Sequence, residues 1–237
     1  MNITRPHRLF PLLLILTVGI ISTNLTGVYA DQSLRDDLLE RSNIAAAALD
    51  REDIMKLTGT EADIGTLPYD ATKRRMTRIK DAATGASFAY LFGKHGDDII
   101  FLVDNEPPES EDYSPPGQVY TDATQENYIA FETGIPYVEG PLKDDWGVWV
   151  TGLVPIHDLK TGKVMAVFGL DIAAEYWKKE LWSRQNVPLF IMGFGIAFLL
   201  LFFRHQDKHR SLRAVIRDLK MRILQLGKKY GEDIGEL

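Results

Sequence analysis

The sequence predicts an α+β fold: an antiparallel sheet of about five strands with a long N-terminal helix, set between two membrane-spanning helices. Three observations carry this reading. Two segments without a charge, residues 9–30 and 187–203, bracket a polar stretch of 155 residues. Charge is unevenly distributed: residues 31–185 hold 28 acids against 16 Lys and Arg, whereas residues 186–237 hold 9 bases against 5 acids. Within the polar stretch the apolar pattern changes near residue 87 from helical spacing to strand alternation.

The first apolar segment, LFPLLLILTVGIISTNLTGVYA, has 22 positions, which at about 1.5 Å per residue reach across a hydrocarbon core of roughly 30 Å. The second, VPLFIMGFGIAFLLLFF, is short but within the lower limit of a spanning helix. Arg5 and Arg8 precede the first, and Arg204, His205, Lys208, His209 and Arg210 follow the second. Basic flanks stay on the cytoplasmic side. The expectation is therefore a two-pass protein of the cell membrane: cytoplasmic residues 1–8, a first span at 9–30, an extracytoplasmic domain at 31–185, a second span at 187–203 and a cytoplasmic helix at 204–237. A second reading of 9–30 stays open, because VYA before Asp31 has the small residues of a signal-peptide cleavage site. Under either reading the acidic middle is exported.

The chain contains no cysteine, which excludes a disulfide framework, a thiolate metal site and a cysteine nucleophile. No Ser-His-Asp arrangement, phosphate loop or metalloprotease motif appears, and His7, His95, His157, His205 and His209 show no metal-ligand spacing. No cofactor, metal or nucleic-acid partner is expected, and the chain reads as a non-enzyme.

Residues 31–57 lack Pro and Gly and carry Leu34, Leu38, Ala45 and Leu49 at helical spacing, which predicts one long helix. A second helix is predicted over 71–83, with Asp70 as N-cap and Met76, Ile79 and Ala83 on one face. Its Lys73, Arg74, Arg75, Arg78 and Lys80 read either as a solvated face or as an anion site. SFAYLFGKHGDDIIFLVDNE, residues 87–106, reads as two strands about a Lys-His-Gly turn. Two Pro pairs make residues 107–117 a loop. VYTDATQENYIAFETG predicts a short helix closed by Gly134. Three strands follow: a brief one in IPYVEGP, then a hairpin near 146–155 and 163–172 with a helix starting near Ala173.

SFAYLFGKHGDDIIFLVDNEPP, DYSPPGQVY and GPLKDDWGVWVTGLVPIHDLKTGKVMAVFGLDI, in that order, resemble the PAS-like, Cache-type extracytoplasmic sensor domain. Such domains sit between two membrane helices in prokaryotic sensor histidine kinases, diguanylate cyclases and chemoreceptors. The resemblance covers roughly residues 31–181, most closely 87–172. It implies a PAS-like sheet with a ligand held between one sheet face and a covering loop and helix.

Alternation on the last strand puts Val164, Ala166, Phe168, Leu170 and Ile172 on one face, bulky and suited to packing on helices. Met165, Val167, Gly169 and Asp171 form the other, a narrow face ending on a carboxylate, as a cavity wall would. On the preceding strand Trp149, Thr151 and Leu153 alternate with Val148, Val150 and Gly152. The resemblance implies that Asp171 holds a donor such as an amine, or else orients a neighbouring loop. Trp149 and Thr151, with Tyr113, Tyr120 and Tyr128 from the covering segment, are the other candidate ligand-binding residues; the tyrosines and the tryptophan each pair an apolar body with a polar tip. Two further readings stand beside these: Asp171 as the cap of the following helix, and the aromatic residues as ordinary core. The Arg-x-Trp-Tyr motif of amino-acid-binding two-lobed relatives is absent, so amino-acid sensing has no support. Asp104, Glu106, Glu109, Glu111 and Asp112 crowd one loop but lack regular calcium-loop spacing, and read as solvated.

Beyond residue 203, Leu212, Ile216, Leu219, Ile223, Leu226 and Tyr230 recur at 4-3-4-3-4 spacing, a heptad seam with bases around it. It reads as the coiled coil of a homodimer, or as an amphipathic helix on anionic lipid. The expected function is sensory input to a two-component or related pathway: a small extracellular ligand, relay through the second membrane helix, and a separate cytoplasmic kinase or other output partner. No kinase, cyclase or chemoreceptor hairpin fits after residue 203, so a truncated receptor or a stand-alone input subunit is expected. The alternative is an exported domain that binds another protein in a membrane assembly.

Overall fold

The computed structural model describes residues 6–234, with side chains over 8–226; Arg5 and the Tyr230 side chain lie outside the described residues. The described residues form two units, 27–185 and a second made of 6–26 and 186–234.

Unit 27–185 is built on five antiparallel strands in the order β2-β1-β5-β4-β3. β1 (Ala86–His95) and β2 (Asp98–Asp104) form a hairpin about Gly96, whose φ of 61° needs a residue without Cβ. β3 (Tyr137–Lys143), β4 (Val148–His157) and β5 (Val164–Ala173) follow. The β4–β5 turn is closed by Asp158, which pairs with Lys163 through the backbone and accepts from the Lys160 amide and the Thr161 hydroxyl. β5 lies centrally, between β1 and β4, and every residue from Ala166 to Ile172 is buried.

One sheet face packs on helices. α1 (Pro6–Ala47) contributes Leu34, Leu38, Ala45 and Ala46, α3 (Leu67–Ala82) Tyr69 and Met76, and α5 (Ala174–Gln185) Trp177; they meet Val150, Phe168, Leu170 and Ile172. Each fully buried Val, Leu, Ile, Met or Phe side chain among them contributes about 1.5–3 kcal/mol. The other face packs under α4 (Gln125–Thr133) and the preceding loop, where Phe92, Phe101, Leu153 and Val167 meet Ala130, Tyr120, Tyr128 and Trp146. This is the predicted α+β fold, with its five-stranded antiparallel sheet and long N-terminal helix.

The helix expected over 31–57 breaks at Ala48, where the chain turns and Asp50 caps the short α2 (Arg51–Met55) by accepting from the Glu52 amide at 2.9 Å. α3 starts at Leu67, four residues before the expected start, with Asp70 inside its first turn instead of at the cap. Pro68 explains the early start, because its missing N–H is not needed in the first turn and its φ suits a helix. Gly134 closes α4 in the left-handed region, φ 65°, as expected. On β5 the alternation holds from Ala166 to Ile172, but a bulge opposite Ile156–His157 reverses its start. Val164 therefore packs with Phe92 and Val167, and Met165 with the helices.

In the other unit, the first part of α1 and the first part of α6 (Val187–Ile234), residues 187–203, are apolar and largely exposed. Two helical stretches, Arg8–Ala47 and Ala174–Leu226, are long and apolar enough to cross a membrane by length and composition, with windows of mean hydropathy 1.9 and 2.2. Within this unit Arg8 donates to both Asp207 oxygens, at 2.7 and 2.5 Å, and lies over the Phe203 ring. Gly19 lies against Met192 so closely that a Cβ there would overlap its thioether.

Candidate functional site

Strand alternation on β1 places Phe88, Tyr90 and Phe92 on the face away from the helices, and β2 adds Phe101 beside them. Phe92 stacks on Tyr120 of the covering loop with ring centres 4.8 Å apart, and Phe101 meets Trp146 edge-on at 5.7 Å. Tyr90 lies across Gly169 of β5; a Cβ at that glycine would overlap the ring. These rings wall a narrow cavity of about 30 Å³. Asp104, Asp112, Asp144 and Asp171 also line it.

Asp171 and Asp104 are the two buried acids of the four, each 4% exposed. Asp171 sits on β5 between Thr151 of β4 and Phe88 of β1. Its Oδ1 accepts from Thr151 Oγ1 at 2.6 Å and from the Tyr90 hydroxyl at 3.2 Å. Among the described residues no donor reaches Oδ2. Burial pushes the acid up to about 7; the Thr151 bond opposes this, Asp144 adds to it and the Tyr90 bond opposes it again. Asp171 lies inside the strand, and its acceptor contacts are to side chains of β4 and β1, not to the first amides of α5.

Asp144 belongs to the turn between β3 and β4. Its Oδ1 accepts from the amides of Trp146 and Gly147 and from Trp149 Nε1, at 3.0, 2.9 and 2.9 Å. Burial raises its pKa, against those three bonds. No donor among the described residues reaches its Oδ2. Asp104, by contrast, is saturated by the protein: Oδ1 accepts from the Glu106 amide and Oδ2 from the Ser114 amide, while burial raises it to about 6.

The six candidates named from the sequence separate by position. Asp171 and Tyr120 line the cavity, and Thr151 supports Asp171 from behind. Trp149 packs edge-on against Phe88 at 5.0 Å and holds Asp144. Tyr113 turns to α3: its hydroxyl pairs with that of Tyr69 at 3.1 Å, and Lys73 Nζ lies 4.6 Å from its ring centre. Tyr128 packs in the cluster under α4, with Lys94 over its ring. Lys73 is not solvated; it donates to the backbone carbonyls of Asp104 and Glu106, and burial lowers its pKa. Phe88, Tyr90 and Phe92 were missed, although three aromatic residues at every second position on one strand are a legible signal. Asp144 and Trp146 had none, since a turn's direction depends on what it packs against. No group of three or more His, Asp or Glu among the described residues could hold a metal ion.

No protein-family model matches this chain, and no curated protein sequence matches it. Solved structures do. The ligand-binding domain of the Campylobacter jejuni chemoreceptor Tlp3, in complex with L-valine, matches with a TM-score of 0.47 at 16% identity, over 73% of this chain and 66% of that one. The Escherichia coli DcuS sensor domain gives 0.43 at 10% identity, over 65% and 98%. The periplasmic sensory domain of the Campylobacter jejuni chemoreceptor Tlp1 gives 0.43 at 14%, over 66% and 60%. These are sensory and ligand-binding domains, the class that the sequence resembles. The chain spans about two thirds of the Tlp3 domain.

Proposed function

We propose that this chain is a membrane-bound sensory input protein. Residues 31–185 bind a small extracellular ligand in the cavity at Asp171. The two apolar helices span the membrane with the basic cluster after residue 203 in the cytoplasm, and the helix beyond it pairs with a second copy to act on a kinase or other output partner. The observation that carries the reading is Asp171 itself. A carboxylate 4% exposed, with one oxygen that no donor among the described residues reaches, in an aromatic-walled cavity, is costly to keep charged there. Binding sites tolerate such groups because a ligand completes them. In this proposal Asp171 and Tyr120 touch the ligand, Thr151 and Trp149 hold the two carboxylates in place, and Tyr113 and Tyr128 fix the cover. α5 follows β5 directly in the chain, so a shift of β5 on binding passes into the helix that precedes the second apolar segment.

The test is a thermal-shift screen of the full chain in detergent against small amines, carboxylates and sugars, repeated on Asp171→Asn. The expected result is a hit that the variant loses; a ligand at 100 times its dissociation constant stabilises by about 2.7 kcal/mol. If no compound shifts the wild type at millimolar concentration, the sensor reading fails and the protein-binding alternative replaces it.

A further inference from the structure

The β3–β4 turn, which brings Asp144 and Trp146 to the cavity wall, is tied to α1 and α5 through one side chain. β3 is an edge strand, and its register on β4 shifts between Glu139 and Leu142. Gly140 lies in that shift, and its φ of 96° and its closeness to the Trp149 carbonyl leave no room for a side chain. Arg35 of α1 donates from Nη2 to the Gly140 carbonyl at 2.8 Å. Its Nε donates to Asp31 Oδ2, also at 2.8 Å. The other Asp31 oxygen accepts from Trp177 Nε1 of α5 at 2.9 Å, and the Arg35 guanidinium carbon lies 5.8 Å from the Trp177 ring centre. Two helices and the cavity-wall turn thus meet at Arg35.

Resting on the sensor reading above, we infer that Arg35 is a positioning residue of this site: it sets the β3–β4 turn, and it carries movement of that turn into α1. The cavity and α1 lie on opposite faces of the sheet, so a link between them has to pass through the sheet or round its edge. Arg35 takes the edge. Asp31 and Arg35 are one helical turn apart, and such a pair forms within α1 whatever the sheet does. The Asp31–Trp177 bond likewise joins helix to helix. Of the three bonds, Arg35 to Gly140 is the one that reaches the cavity wall. A planar guanidinium suits this task, because its fork offers separate donors to acceptors held by two different elements. β5 leads along the chain into α5, whereas α1 has no such chain connection to the cavity. The Arg35 clasp therefore gives the site a second route, into the helix that continues the first apolar segment.

The deciding experiment needs no ligand. Asp144→Ala removes the acceptor of the Trp146 and Gly147 amides and of Trp149 Nε1, and so loosens the turn from the cavity side. Amide hydrogen exchange of the full chain in detergent is then read over residues 31–38 of α1. Exchange there should rise about five- to ten-fold in Asp144→Ala relative to wild type. In an Arg35→Met background the same change should move it by less than about two-fold. Arg35→Lys keeps a charge beside Asp31 without the two-armed guanidinium. It should melt close to wild type and yet lose the coupling, which a merely structural ion pair would not do. Asp158→Ala, which loosens the β4–β5 turn instead, should leave residues 31–38 unchanged. α5 is not the deciding segment, because Trp149 pairs with Ala173 at its start and offers it another path. Equal exchange in wild type and Asp144→Ala overturns the inference, as does an effect that survives in both Arg35 variants. Both results are read on the ligand-free chain, whereas the sensor reading falls with the thermal-shift screen, so an absent coupling and an absent ligand are told apart.

Discussion

Thr151 and Asp171 face one another across the two central strands β4 and β5, and the Thr151 hydroxyl donates to Asp171 Oδ1 at 2.6 Å with both residues almost wholly buried. A bond from a neutral donor to a buried charge contributes about 1.5–3 kcal/mol, and a carboxylate that loses it is left less satisfied in a medium of low polarity. Thr151→Val keeps the shape and removes the donor. It should destabilise the fold by about that amount at pH 8, while Thr151→Ser recovers most of the loss. Urea unfolding followed by tryptophan fluorescence measures both, and equal stability of the valine and serine variants would show the bond to be idle.

The same carboxylate makes stability depend on pH. Asp171 sits at about 7 and Asp104 at about 6, both above the ordinary carboxylate value of 3.8 because they are buried. Asp171 is faced by Thr151, Tyr90, Asp144 and Glu139, and Asp104 by Lys73 and Glu106. A folded-state value raised above the unfolded one means that the fold prefers the protonated acid. The associated stability is complete below about pH 4 and is lost as pH rises through about 6 to 7. The ligand-free protein should therefore be more stable at pH 5 than at pH 8, by a sum on the order of 2 to 4 kcal/mol. Asp171→Asn should flatten the upper part of that curve. Thermal melts across this range decide it, and a melting temperature that climbs from pH 5 to pH 8 would contradict the assignment.

Next to Thr151, Gly152 marks a close approach of α1 to the sheet. A Cβ there would overlap the Ser42 hydroxyl and press on Leu38 Cγ at 3.2 Å. Ser42 is 0% exposed, and its Oγ finds no hydrogen-bond partner. Two substitutions on the two sides of one contact should thus act with opposite sign. Gly152→Ala overpacks the interface and should destabilise by about 1–3 kcal/mol. Ser42→Ala removes an unpaired buried hydroxyl and should be neutral or stabilising by up to about 1 kcal/mol. The double variant Ser42→Gly with Gly152→Ala should recover part of the first loss. Additive behaviour of the pair would show that the two residues do not meet.

The covering loop depends on one lysine. Lys73 Nζ reaches from α3 to the carbonyls of Asp104 and Glu106 and lies over the Tyr113 ring, in surroundings dry enough to lower its pKa. Lys73→Met keeps much of the packing and removes the donors. Hydrogen exchange should accelerate across residues 104–117, with a loss of about 1.5–3 kcal/mol in global stability. Unchanged exchange in that segment would place the clasp elsewhere, with the Asp104 carboxylate and its bonds to the Glu106 and Ser114 amides as the next candidate.

What could be read from the sequence and what could not follows from the range of the forces involved. Phe168, Leu170 and Ile172 against Val167 and Asp171 were legible because strand alternation is geometry internal to one segment. Gly134 was legible because a left-handed helix end selects glycine locally. The reversal at Val164 and Met165 was not, since a bulge is set by the partner strand. Asp144 was hidden for a similar reason: its role comes from Trp149, five residues on, folding back to bond it. Tyr113 looked like a cavity residue from its place in the covering loop, and only the approach of Tyr69 and Lys73 from α3 turned it away.

The proposed pairing of two copies is tested best on α6, and the absence of cysteine from the chain makes the experiment clean. Leu212, Ile216, Leu219, Ile223 and Leu226 are all more than half exposed along one heptad seam, an arrangement that costs free energy in water unless a second apolar stripe covers it. Single cysteines introduced at Leu212, Leu219 and Leu226 into the full chain in membranes should form disulfide-linked dimers on mild oxidation. Cysteines at Ala214 and Met221, on the opposite side of the helix, should form few. Cross-linking that rises and falls with the 4-3 spacing requires two seams in register. Equal yields at all five positions would mean random collision, and the basic helix would then lie on the anionic membrane surface, where cross-linking shows no such period and labelling of the seam cysteines by a water-soluble maleimide falls when vesicles are added.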